Sequence, residues 1–145
     1  MTPGTFLFDS NFRFHDGKLG NKIFVILSNG SNGIYIAVKT TSRGNRYGIQ
    51  HGCQILDRFP NYYLVEGSCE FLSKNTWIQL DSFYELKSEE LMEKIIMNRI
   101  RRLGIIGEKD AIDLLTCATH SEDLSYFQEM VIQGAIDTFQ NKRLD

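Results

Sequence analysis

The chain predicts an α+β fold, a small, curled antiparallel sheet followed by helices packed on one side or end of it. Three observations carry this. Lys22–Ser42 reads KIFVILSNGSNGIYIAVKTTS, two β-branched, aromatic-rich runs flanking an Asn/Gly-rich turn at Asn29-Gly30-Ser31-Asn32-Gly33, which is hairpin chemistry. Thr76–Leu80 alternates, with Trp77 and Gln79 on one face and Ile78 and Leu80 on the other. After Ser88 the apolar period changes from two to that of a helix.

In chain order, Thr5–Phe8, Ile23–Leu27 and Ile34–Lys39 are expected as strands, with Gly20-Asn21 a turn before the second. Arg43–Pro60 shows little periodicity and is expected as a long loop or a loose strand pair. Short strands are expected at Tyr62–Val65, Cys69–Leu72 and Thr76–Leu80, separated by Glu66-Gly67-Ser68 and Ser73-Lys74-Asn75. Leu91, Ile95, Ile96, Ile100 and Leu103 then mark one face of a helix capped by Ser88 and stopped at Gly104. Ala111, Leu114, Leu115 and Ala118 mark a second helix ending near His120. Ser121 caps a third, with Leu124, Phe127, Val131, Ala135 and Phe139 on one face.

Length and composition narrow the class. The 145 residues suit one compact unit. No apolar run approaches the roughly 18 residues a membrane helix needs, and MTPGTFLFDS has no basic residue ahead of its apolar run, unlike a secretory signal. Cys53, Cys69 and Cys117 are odd in number, widely spaced and without a CxxC pair or a histidine at ligand spacing. They are expected as reduced thiols of a cytoplasmic protein, with no metal and no cofactor.

Charge is distributed unevenly. The net charge of −2 lacks the basic excess of a non-specific DNA binder. Between Gly17 and Leu56, however, stand Lys18, Lys22, Lys39, Arg43 and Arg46 and no acidic residue, next to the hydroxyls of Thr40, Thr41 and Ser42. Residues 87–145 carry eight basic against eleven acidic residues. A cationic, hydroxyl-bearing rim on a β domain suits a nucleic-acid backbone.

Lys22-Ile23-Phe24-Val25-Ile26-Leu27-Ser28, then Val38-Lys39-Thr40-Thr41-Ser42, then Thr76-Trp77-Ile78-Gln79-Leu80-Asp81 resemble, in order and spacing over about residues 4–103, the motifs of the MazF/PemK (Kid) ribonuclease toxins. The resemblance implies an SH3-like β-barrel domain over residues 1–86, with residues 87–145 a helical C-terminal extension packed on it. It also implies a homodimer, an antitoxin partner that occupies the RNA groove, and metal-free cleavage of single-stranded RNA. The chain departs from the family in having Lys22 where Arg is usual and Ile23 where Pro is preferred. Thr76 and Ile78 stand where Gln and Arg are usual, leaving Asp81 of that motif. These replacements suit an alternative, a non-catalytic barrel of the same kind that binds a protein or nucleic-acid partner.

Metal-free RNA cleavage needs a base for the 2′-hydroxyl, a donor for the charge on phosphorus and an acid for the leaving oxygen. Lys22 and Thr41 are expected to supply charge and hydrogen bonds. His15, beside Asp16, is the best-placed acid–base candidate, and Asp81 is a base or orienting carboxylate. Ser42, Arg43, Arg46, His51 and Gln79 are expected to hold flanking substrate, and Trp77, Tyr62, Tyr63 and Phe59 are candidates for base stacking.

Overall fold

The computed structural model describes residues 1–144. The strands are β1 (Thr5–Arg13), β2 (Leu19–Ile26), β3 (Ile34–Thr41), β4 (Gly52–Gln54), β5 (Asn61–Leu64), β6 (Thr76–Gln79), β7 (Tyr84–Lys87) and β8 (Ile100–Ile105). The helices are α1 (Ser88–Ile96), between β7 and β8, then α2 (Glu108–Thr119) and α3 (Tyr126–Leu144). The antiparallel sheet runs β4-β5-β6-β3-β2-β1-β8, with β7 also on β3. The fold is therefore α+β, as expected, but the ladder does not close: β4 and β8 are its two ends.

β3 organises the sheet. One of its edges pairs with β2, and the other is shared between β6, at Thr40 and Thr41, and β7, at Ile34–Ala37. Residues 81–83 bridge the two halves. The strand centres are apolar without a break because both faces are covered. Val25, Leu27, Ile36 and Val38 join the larger core, which includes Leu114 and Leu115 of α2 and Ile132 and Ile136 of α3. Phe24, Ile26, Tyr35 and Ala37 face the opposite way, into a second core with Phe12, Tyr84, Ile100 and Leu91 of α1. Helices thus lie on both faces, rather than on one.

The segment after residue 87 departs most from expectation. The helix expected to run to Leu103 ends at Ile96, and Ile100–Ile105 returns as β8 against β1. Asn98, at φ 60, makes the stop. Its N–H bonds the carbonyl of Ile95 and that of Arg99 bonds the carbonyl of Lys94, the paired bonds of a Schellman turn. The sheet therefore extends to residue 105, beyond the 1–86 boundary, and the 87–145 segment is not helical throughout. Its last residue, Asp145, lies outside the described residues.

Smaller corrections follow from local hydrogen bonding. Ser88 does not cap α1, whose cap position is Lys87. α3 begins after Ser125, not Ser121: Ser125 Oγ accepts the N–H of Gln128 (3.1 Å) and Gln128 Oε1 accepts the N–H of Ser125 (3.0 Å), a capping box. Ser121 Oγ instead donates to the carbonyl of Leu80 (2.6 Å). Gly20 and Asn21 belong to β2, and Cys69–Leu72 forms a turn rather than a strand.

The Arg43–Pro60 loop carries β4 and is held by buried amides. Gln54 Nε2 donates to Gly48 O and to Asn61 Oδ1, and Asp57 Oδ2 accepts from the N–H of Gly48 and from Asn61 Nδ2. Cys53 of β4 is joined to Cys117 of α2 by a disulfide, while Cys69 is free. The expectation of three reduced thiols is corrected accordingly. Spacing alone did not show that α2 packs across β4 and brings the two cysteines together.

Candidate nucleic-acid interface

At the end of β3 the chain opens a groove of about 710 Å³. Its floor comes from Ile23 on β2 and Thr40 on β3, whose side chains lie on the larger-core face of the sheet. Thr40 Oγ1 donates to the carbonyl of Ile23 (2.8 Å) and so ties the two strands. Lys22 and Thr41, one residue out of phase, border the groove from its rim. Ser42 and Arg43 continue the rim beyond β3. The opposite wall is the 71–76 segment, where Phe71, Lys74 and Thr76 line the groove.

The electrostatics are one-sided. Lys22, Arg43 and Lys74 supply positive charge, and no carboxylate among the described residues lines the groove. Burial, and next the charges of Lys39 and Arg43, lower the proton affinity of the Lys22 amine below that of an ordinary lysine. An anion in the groove would relieve the repulsion among these cations.

The hydroxyls differ in what they have left to offer. Thr40 donates to Ile23 and Thr76 donates to the carbonyl of Lys74 (3.1 Å). Thr41 Oγ1 accepts the N–H of Arg43 (3.1 Å), which leaves its own proton available to a ligand. The arrangement can hold a phosphate by charge from Lys22 and Arg43 and by a hydrogen bond from Thr41.

Of the residues expected in the site, the structure gathers Lys22, Thr41, Ser42 and Arg43, and it disperses the rest. His15 lies in the β1–β2 hairpin, stacked on Tyr84 with ring centroids 3.9 Å apart, and its Nε2 donates to the carbonyl of Phe83 (3.1 Å). His51 Nδ1 accepts the N–H of Val65 (3.3 Å). Asp81 sits in the bridge between β6 and β7, outside the groove lining. Arg46 covers the ring of Phe59, 4.6 Å from its centroid.

Gln79 is only 8% exposed and donates to the Tyr47 hydroxyl (2.9 Å), so it is a core residue rather than a substrate contact. The aromatic candidates are corrected in the same way. Tyr62 is in the larger core, and Trp77 and Tyr63 are stacked on each other at 4.7 Å beneath the 43–60 loop. None of the three is open to a base. In their place the groove presents Phe8 and Phe71, together with Asn21 and Lys74. No local signal marks these four: Phe71 lies in a short apolar run that reads as a strand.

Sheet and groove together define an α+β protein with a cationic, hydroxyl-bearing cleft at one end of its central strand. Comparison with protein-family models, with curated proteins and with solved structures found no match in any of the three. The likeness to the MazF/PemK toxins therefore rests on the short motifs alone. Among the described residues no group of His, Cys, Asp or Glu side chains is placed to hold a metal ion, and no helix is long and apolar enough to cross a membrane.

Proposed function

We propose that the groove holds the sugar–phosphate backbone of single-stranded RNA and that the protein is a toxin-like, metal-independent endoribonuclease. The observation that supports this best is the meeting of Lys22, Thr41, Ser42 and Arg43 on one cleft lined by no described carboxylate. In the reaction the 2′-oxygen bonds to phosphorus as the bond from phosphorus to the 5′-oxygen breaks. The 2′-proton goes to a base and the leaving oxygen takes a proton, giving a cyclic phosphate and a free 5′-hydroxyl. Lys22 and Thr41 would stabilise the extra charge on phosphorus.

Under this reading the curled sheet corresponds to an SH3-like barrel left open between β4 and β8. The active form is a homodimer, and an antitoxin competes with RNA for the groove. The reading includes a cytoplasmic location. The Cys53–Cys117 disulfide pulls against that part, since disulfides are rare in the cytosol.

A second reading, a non-catalytic module that binds RNA or a protein in the same groove, is favoured by one specific observation. His15, His51 and Asp81 all lie outside the groove lining. Incubating the purified protein with mixed-sequence single-stranded RNA in EDTA separates the two. Cutting of RNA but not DNA supports the nuclease. Binding without cutting supports the module, and neither binding nor cutting removes the nuclease and the RNA-binding form of the module, leaving a protein partner.

A further inference from the structure

The groove contains something that a phosphate clamp does not need. Phe71 forms part of its wall and Phe8 lies in its lining, among the cations and hydroxyls. Both rings are partly exposed, and both are held in place from outside the groove. The ring of Phe71 packs on Phe6, centroids 5.3 Å apart, and lies directly against the backbone of Gly104 on β8. A Cβ at position 104 would stand 2.2 Å from the Phe71 ring, so the ring takes this position only because residue 104 has no side chain. The guanidinium of Arg101, which does not line the groove, covers Phe8 at 5.3 Å from its ring centroid.

We infer that Phe71, with Phe8 beside it, is a stacking platform for one unpaired nucleobase. The groove thereby selects nucleic acid with exposed bases over other polyanions. The inference rests on the RNA-binding reading above. Its physical basis is separate from that of the phosphate contacts. An apolar ring on the wall of a charged cleft adds nothing to the capture of a phosphate, but it gives the flat face of a base a partner at the distance where charged side chains hold its backbone. Gly104 is then a positioning residue, acting through Phe71.

The test compares two ligands of equal length and charge, an oligoadenylate and the same ribose–phosphate chain lacking its bases, by fluorescence anisotropy at fixed salt. Wild-type protein should bind the oligoadenylate roughly five- to 150-fold more tightly, the range that one base–aromatic stack spans. Phe71→Leu keeps an apolar group against Phe6 and Gly104 while removing the aromatic face, and it should abolish most of that preference. Its affinity for the base-free chain should stay unchanged, which a misfolded variant would not show. Equal binding of both ligands by the wild type, with no effect of Phe71→Leu, would overturn the platform and leave the backbone-binding reading standing. Failure of the wild type to bind either ligand would overturn both.

Discussion

The hydroxyl of Thr41 accepts the backbone N–H of Arg43 at 3.1 Å, a side-chain turn that ends β3 and sets both residues on the rim of one groove with Lys22. Thr41→Ala removes this bond and the hydroxyl's remaining proton together. If the groove cleaves RNA, single-turnover rates in EDTA should fall more than tenfold, about 1.4 kcal/mol of transition-state stabilisation. Thr41→Ser, which keeps the hydroxyl, should recover most of the rate. Arg43→Ala should chiefly weaken binding and flatten its dependence on salt.

Lys22 links binding to pH. Burial and the neighbouring Lys39 and Arg43 lower its folded-state pKa, so the unfolded chain holds this proton more firmly. The resulting penalty is fully present below the folded pKa. It is relieved as pH rises towards the unfolded lysine value of about 10.4. A bound phosphate reverses the shift, so binding takes up a proton. RNA affinity should therefore decline as pH rises through the lowered pKa, a trend measured at constant ionic strength. Lys22→Met should flatten that decline and weaken binding while raising the thermal midpoint at neutral pH, because it removes a crowded, desolvated charge.

The bond between Cys53 and Cys117 closes a sequence separation of 64 residues. By chain-entropy reasoning, a loop of that size contributes about 4 kcal/mol. Thiol titration of the unreduced protein under denaturant should find one free group, Cys69, and three after reduction. Reduction should lower the urea midpoint without changing the far-ultraviolet spectrum at low denaturant. A titre of three before reduction would show that the pair does not form.

Gly44 lies flat against the indole of Trp77. A Cβ there would stand 2.0 Å from the ring, and the indole is held from beyond by its bond to the Gly48 carbonyl (2.8 Å) and by its stack on Tyr63. Gly44→Ala should destabilise the fold by about 1–3 kcal/mol, the usual scale for overpacking. The displaced indole should report it as a change in tryptophan fluorescence.

The cap of α3 supplies a control remote from the groove. Ser125→Ala removes one half of the capping box and should cost about 1 kcal/mol in denaturant unfolding. RNA binding by the folded protein should be unchanged.

Local pattern by itself determined much of this protein. The Asn29–Gly33 turn between two apolar runs specified the β2–β3 hairpin, because turn chemistry and alternation act within a few residues. The same locality made α2 legible from Ala111, Leu114, Leu115 and Ala118. It also made Lys22, Thr41, Ser42 and Arg43 legible as neighbours, since an antiparallel hairpin brings the start of one strand beside the end of the next.

Tertiary structure decided the rest. Ile100 and Leu103 continue the helical spacing of Leu91 and Ile95, yet Asn98 in the left-handed region and the open edge of β1 turn Ile100–Ile105 into a strand. Contacts beyond the reach of local periodicity outweighed it there. Asp81 lies outside the groove lining because β3 divides its edge between β6 and β7 and carries Asp81 into the bridge between them, and His15 is outside it too, stacked on Tyr84 of β7. Trp77 and Tyr63, candidates for base stacking from their sequence, are buried in a cluster with Tyr47 and Phe59 of the 43–60 loop. Phe71 and Gly104 lie more than thirty positions apart in the sequence. Only packing shows that the missing side chain of one makes room for the ring of the other.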